Sequence, residues 1–226
     1  MLSPIIISLG GSLVAPDGID TEFVSALHSL IQTRVKAGER FVLIIGGGKV
    51  CRRYQDAAKA LGADSKEALD WVGIFATRLN AELVRVVFGD AAHRELVLDP
   101  AILSSVIAPV VLGAGWKPGH STDFDAVLMA EKSDAKRLIN LSNIDYVYER
   151  DPREFPDAKR VERATWKEFR AILPAEWTPG VNAPFDPVAA KRAEELGLEV
   201  AIMNGTPLDN LKNYLEGKPF KGTVIK

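Results

Sequence analysis

Three consecutive glycines followed by a lysine and two arginines, Gly46-Gly47-Gly48-Lys49 with Arg52 and Arg53, are the residues of this chain best suited to holding a phosphate. Glycines let the backbone turn sharply and bring amide N–H groups toward an anion. A helix starting just behind them adds its positive dipole end, Lys49 a mobile point charge and Arg52 a planar fork. The spacing is neither that of a P-loop, which ends in Lys-Ser/Thr after a longer gap, nor that of the G-x-G-x-x-G fingerprint. Taken alone, the triplet equally suits a plain strand-to-helix turn. A second loop of the same kind, Gly10-Gly11-Ser12, follows the run Ile5 to Leu9. Two amide-rich loops on one sheet edge suit a phosphate passed between two molecules, because ligands collect at the carboxyl ends of parallel strands.

The elements that must position these loops are legible in order. Ile5 to Leu9 and Phe41 to Ile45 read as buried parallel strands. Asp20 caps a helix carrying Phe23, Leu27, Leu30, Ile31 and Val35 that Gly38 ends. A helix carrying Val50, Ala57, Ala58 and Leu61 follows Gly48 and closes at Gly62. Ser65 opens a long helix whose Leu69, Val72, Phe75, Ala76, Leu79, Leu83, Val86 and Val87 keep helical spacing, and Gly89 stops it. Short strands are expected at Leu96 to Leu98 and Pro109 to Leu112, before a third glycine-rich loop, Gly113 to Asp123. A helix around Ala126 to Ala130, a strand from Arg137 to Leu141 and a polar loop from Ser142 to Pro152 come next. Thr165 and Glu168 form a capping box on a short helix ending near Leu173. Pro174 to Pro187 reads as a surface loop or flap. Asp186 and Pro187 then start a helix that Gly197 stops, followed by a strand at Val200 to Met203, a helix from Thr206 to Glu216 and a strand at Thr223 to Ile225. This alternation predicts an α/β fold, a three-layer α/β/α sandwich with a mainly parallel central sheet.

The chain has 226 residues, enough for one large domain or two closely joined lobes. A net charge of −2 gives no reason to expect nucleic acid or an anionic membrane as partner. Cys51 is the only cysteine, so no internal disulfide forms, which fits a reducing cytoplasm. No apolar run approaches the ~18 residues of a membrane span, and no signal peptide is read at the N-terminus.

As a group the residues resemble the amino acid kinase superfamily and, within it, the archaeal-type uridylate (UMP) kinases. The resemblance runs through Ile7 to Ser12, Gly46 to Tyr54, Asp70 to Ala81, Pro118 to Asp123, Ser142 to Pro152, Phe185 to Gly197 and Gly222 to Ile225. It implies transfer of the γ-phosphoryl group of ATP, with Mg²⁺, to UMP. A UMP phosphate is already ionised near neutral pH, so no general base is required, and the loops offer none. Lys49, Asp123, Gly10 and Gly47 then match catalytic positions. Gly11, Gly48, Arg52, Asp70, Thr77, Trp116, Ser121 and Thr122 match acceptor-binding positions, with Asp70 on the ribose hydroxyls and Arg52 on the UMP phosphate. Ser12, Ser142, Asn143, Asp145, Tyr148 and Asp151 match the ATP site. No protein metal ligand is assigned.

Without the resemblance several of these have plainer readings. Arg52 and Asp70 suit solvated helix faces, Asp123 a helix N-cap and Trp116 simple packing, Asn80 a tie from helix to loop, Lys191 a surface lysine, and His120 a backbone or acceptor contact. Two departures from the pattern stand out. Ser8 occupies the strand-one place where many superfamily members carry lysine, a charge Lys49 would supply from the other loop. Tyr146 stands where relatives have glycine, which bears on nucleotide preference. The expected layout is an acceptor lobe over residues 1–135 and an ATP lobe over 136–226 sharing one sheet, in a hexamer built as a trimer of dimers. Other same-fold readings are kinases of isopentenyl phosphate or acetylglutamate type, or a non-catalytic nucleotide or oxyanion binder.

Overall fold

The structure is a computed structural model describing residues 3–174 and 183–226. Strand β1 (Ile5–Leu9) leads through the single turn α1 (Gly11–Val14) to α2 (Thr21–Lys36). β2 (Phe41–Ile45) leads to α3 (Gly48–Ala60) and α4 (Lys66–Phe88), and β3 (Val110–Gly113) to α5 (Thr122–Lys132). Then follow β4 (Arg137–Ser142), β5 (Val147–Tyr148), β6 (Arg160–Val161), β7 (Arg163–Ala164), α6 (Trp166–Ile172), α7 (Pro187–Glu195), β8 (Glu199–Asn204), α8 (Asp209–Leu215) and β9 (Thr223–Ile225).

One seven-stranded sheet runs in the order β3-β2-β1-β4-β8-β9-β7. Its first five strands are mutually parallel, and β9 runs antiparallel to β8. Every residue of β1 and β2 is buried, as a strand covered on both faces requires. Alternation divides them between two cores. Ile5, Ile7 and Leu9 pack with α2, α4 and α8, whereas Ile6 packs with α5, α6 and α7 on the opposite face. The three-layer architecture expected from the sequence is therefore present. Strand order reverses between β1 and β4, the place where open α/β sheets bind ligands.

Five elements differ from expectation. Leu96 to Leu98 forms no strand: Val97 N–H reaches Leu112 O at 2.8 Å, but Asp99 caps a 3₁₀ turn at Pro100–Ser105 and ends the extended run. β6 and β7 carry arginines and no apolar alternation, so nothing in their sequence announced them. α3 lies outside the core with no buried residue, and Leu61 beyond it is 89% exposed. α4 turns a different face inward from the one its large residues mark. It buries Gly73, Ile74, Ala76, Thr77, Asn80, Ala81, Val84 and Phe88, leaving Phe75, Leu79 and Val86 in solvent. The inward face is rich in small and polar residues because it packs against the backbone of the glycine loops, not against side chains alone. Most of the expected flap, residues 175–182, lies outside the described residues.

Candidate active site

The first two glycine loops meet backbone to backbone. A Cβ on Gly11 would stand 2.2 Å from Gly46 O, and one on Gly48, whose φ is +58°, would stand 2.4 Å from Gly11 C. Only glycine permits that approach. Gly10 N–H donates to Leu141 O and Gly46 N–H to Leu9 O, each at 2.8 Å, fixing both loops to the strand ends. From α4, Asn80 Nδ2 donates to Gly46 O at 3.0 Å and to Gly47 O at 3.3 Å, so the residue does tie helix to loop. Gly47 is the N-cap of α3, whose first turn carries Lys49. Ser12 sits in α1 directly behind the junction.

Asp123 lies at the strand-order reversal. Ser8 Oγ of β1 and Asn140 Nδ2 of β4 both donate to its Oδ1 at 2.8 Å, and Asp186 N–H approaches its Oδ2 at 3.3 Å. The carboxylate keeps a sliver of surface but sits deep among protein atoms, and the lost hydration pushes its pKa up to about 6, with the Asp186 charge adding to the shift. Asp123 does not cap α5. That role falls to Ser121, whose Oγ accepts from Phe124 N at 3.1 Å and donates to Asp186 Oδ2. Asp186 in turn caps α7 through Val188 and Ala189 N–H. Beside this cluster, Asn140 Oδ1 and Ser142 Oγ are buried without a hydrogen-bond partner among the described residues. Thr122 follows in the first turn of α5.

The third glycine loop is gripped from both sides. Thr77 Oγ1 donates to Ile74 O at 2.6 Å and accepts from Gly115 N at 2.9 Å, so it serves the loop from beneath. Asp70 Oδ2 accepts from Gly119 N at 2.9 Å. Arg78 donates to Gly115 O and Trp116 O, and burial lowers its pKa. From α5, the fully buried Asp125 accepts from Trp116 N and from His120 Nδ1, each at 3.0 Å. Trp116 is half-buried with Lys117 Nζ 4.1 Å from its ring centre.

The remaining expected residues lie at the surface. Lys49 Nζ is 3.1 Å from Asp17, which also holds Arg53. Arg52 is exposed and has no hydrogen-bond or ion-pair partner among the described residues. Asn143 is exposed, and Asp145 accepts from Asn204 Nδ2 at 2.8 Å. Asp151 is held by Arg153, which brings its carboxyl down to about 2. Tyr148 lies in β5 opposite Arg160, whose guanidinium sits 5.0 Å from the Tyr146 ring centre. Burial raises the Cys51 thiol, which suits packing against Gly47 and not nucleophilic attack.

Sequence reasoning passed over Asn140, Asp125 and Arg78 as site residues and saw Asp186 only as a cap. A signal existed for two of them: Asn140 interrupts the apolar run Leu138 to Leu141, and Asp125 interrupts an apolar helix face. A polar group in such a place needs a partner.

The amino acid kinase family model matches residues 3–204. A uridylate kinase of Methanospirillum hungatei is 35% identical over 224 residues, covering 98% of this chain and 94% of that protein. A uridylate kinase of Natronomonas pharaonis is also 35% identical, with 98% of each covered. Among solved structures, uridylate kinase from Archaeoglobus fulgidus superposes with a TM-score of 0.85 at 32% identity, covering 99% of this chain and 100% of that one. A Bacillus anthracis UMP kinase at 17% identity and TM-score 0.79 shares the fold. With its strand reversal, abutting glycine loops and half-buried Asp123 in place, the chain belongs to the amino acid kinase family.

Proposed function

We propose that the protein transfers the γ-phosphoryl group of ATP to UMP, releasing ADP and UDP. The observation that carries this reading is Asp123, fixed by Ser8 of β1 and Asn140 of β4 at the strand reversal, next to two glycine loops too closely packed to admit a Cβ. Phosphoryl transfer asks the protein to hold donor and acceptor in line and to offset spreading negative charge. Amides of Gly11, Gly47 and Gly48, with the N-terminus of the 13-residue α3, supply fixed positive potential at the reacting phosphates, while Gly10, its N–H spent on Leu141 O, shapes the turn that brings them there. Lys49 leaves its exposed pairing with Asp17 for the phosphates, giving the charge that Ser8 does not. Arg52 takes the UMP phosphate, for which its unpaired fork is suited.

Asp70 spends one oxygen on Gly119 and turns Oδ1 to the ribose hydroxyls. Thr77 supports the loop, while Trp116, Ser121 and Thr122 line the acceptor side. Ser12 faces the ATP phosphates, and Ser142, Asn143, Asp145, Tyr148 and Asp151 form the adenosine side. Mg²⁺ supplies charge neutralisation and arrives on the nucleotide, since it keeps phosphate and water ligands in such sites. Among the described residues no cluster of three or more His, Cys, Asp or Glu could hold it alone. The oxygens this chain can turn to its hydration shell are the unpartnered Asn140 Oδ1 and Ser142 Oγ.

The acceptor lobe is residues 1–135 and the ATP lobe 136–226. Exposed Trp71, Phe75, Leu79 and Val86 along α4 support assembly into dimers and, as a trimer of dimers, into a hexamer. The setting is pyrimidine nucleotide synthesis in the cytoplasm, and no helix among the described residues is long and apolar enough to cross a membrane. Coupled ADP release with ATP and Mg²⁺ against UMP, CMP, dUMP, isopentenyl phosphate and acetylglutamate tests the reading. Strong turnover is expected with UMP, and turnover confined to another acceptor would overturn it.

A further inference from the structure

Asp125 is 0% exposed, and its ion-pair geometry involves no lysine or arginine. A buried carboxylate needs donors, and here they are Trp116 N–H on one oxygen and His120 Nδ1 on the other. Lys117 and Arg78 act on it only through their charge, and Arg78 spends its own hydrogen bonds on Gly115 O and Trp116 O. Because the carboxylate oxygen can only accept, Nδ1 must carry the proton. The imidazole is also clamped between rings, with Trp116 at 5.4 Å and Phe124 at 4.8 Å between centroids, both edge-on. Nε2, on the far side of the ring, makes no hydrogen bond among the described residues and is not sealed from solvent. In the neutral imidazole it therefore offers a lone pair at the lip of the loop that α4 and α5 hold.

We propose that Asp125 is a positioning residue that fixes His120 as the Nδ1-protonated imidazole, so that Nε2 accepts a hydrogen bond from the acceptor base. The loop then favours a base with an imide N–H, as in uracil, over one with an unprotonated ring nitrogen at the same place, as in cytosine. This rests on the reading above that the Gly113-to-Ser121 loop borders the acceptor.

The test is Asp125→Asn. A carboxamide has one oxygen; if that oxygen keeps Trp116 N–H, its NH₂ faces Nδ1 and drives the imidazole proton to Nε2. Nitrogen-15 NMR of the three histidines, with His28 and His93 as internal controls, reads the tautomer without any turnover. The wild-type protein should show His120 protonated on Nδ1, and the variant should show it on Nε2. In kinetics the variant should raise KM for UMP more than it lowers kcat. The ratio of kcat/KM for UMP over CMP should fall by about tenfold, equivalent to ~1.4 kcal/mol, the scale of one hydrogen bond. His120→Asn serves as the second variant, because its NH₂ replaces the Nδ1 donor to Asp125 while no atom replaces Nε2. It should lose the same selectivity with the loop intact. An Nε2-protonated His120 in the wild type, or a UMP/CMP ratio unchanged in either variant, overturns the proposal. Absence of UMP turnover in the wild type would instead remove the kinase reading on which the base selection rests.

Discussion

The Gly113-to-Ser121 loop and the Ser142-to-Pro152 loop are both polar and both leave the carboxyl edge of the sheet, yet they are held in opposite ways. The first is tied by buried or half-buried side chains from two helices, through Asp70, Thr77, Arg78 and Asp125. The second has long-range anchors at Val147 N–H to Thr223 Oγ1 and at Asp145 with Asn204, but beyond Tyr148 it is held by surface pairs close in sequence, Arg153 with Asp151 and Arg150 with Asp157. Hydrogen bonds that exclude water hold a geometry before any ligand arrives, whereas exposed ion pairs trade readily for water. Under the proposed assignment of the two loops, the acceptor side is built in advance and the donor side is completed by the nucleotide. Such an order suits a transfer in which misplacement of the acceptor by an ångström is costly.

The comparison breaks most completely at the point where both sides meet. Asp123→Asn should lower kcat by about 10³, the scale of removing one organised electrostatic partner. Wild-type kcat/KM should fall as pH drops through about 6, the Asp123 value, as the carboxylate is lost, and the variant should lack that limb. Stability runs the other way. A carboxyl raised above its unfolded value binds its proton more tightly in the fold, so its contribution declines as pH rises from about 4 to about 6, and pH-dependent urea unfolding checks the sign. Gly11→Ala comes next. Its methyl would meet Gly46 O, which is backbone and cannot step aside, so a loss of about 3 kcal/mol in denaturant midpoints is expected.

How much of this was legible divides along the same line. The glycine loops, the Ser65 and Asp20 caps and the Thr165 capping box are local signals, and the structure has them where sequence puts them. The Asp123 cluster joins Ser8, Asn140 and Asp186, residues from four elements whose meeting depends on strand order, which spacing does not encode. The inward face of α4 was misjudged because hydrophobic periodicity tracks large side chains. A helix lying on the glycine loops buries Thr77 and Asn80 instead, and Gly73 where Cys51 and Gln55 of α3 close on it.

Smaller perturbations sharpen the contrast. Asn80→Leu leaves Gly46 O without its side-chain donor, while Gly47 O keeps Cys51 N–H, and should cost about 1–3 kcal/mol by urea unfolding, with a raised KM for UMP. Lys49→Met should remove most turnover while shifting the melting temperature little, since exposed pairs contribute about 0–1 kcal/mol. Arg153→Ala, on the donor side, should leave the melting temperature and KM for UMP unchanged and move only KM for ATP. An equal rise in both would erase the difference between the two loops.

The most direct measurement is phosphorus-31 NMR of ATP, Mg²⁺ and UMP with enzyme in catalytic amount. The account predicts matched growth of UDP and ADP signals with no inorganic phosphate, and loss of that growth in Asp123→Asn. Growth of ADP with inorganic phosphate and no UDP, or an unaltered spectrum, would contradict transfer to UMP at this site.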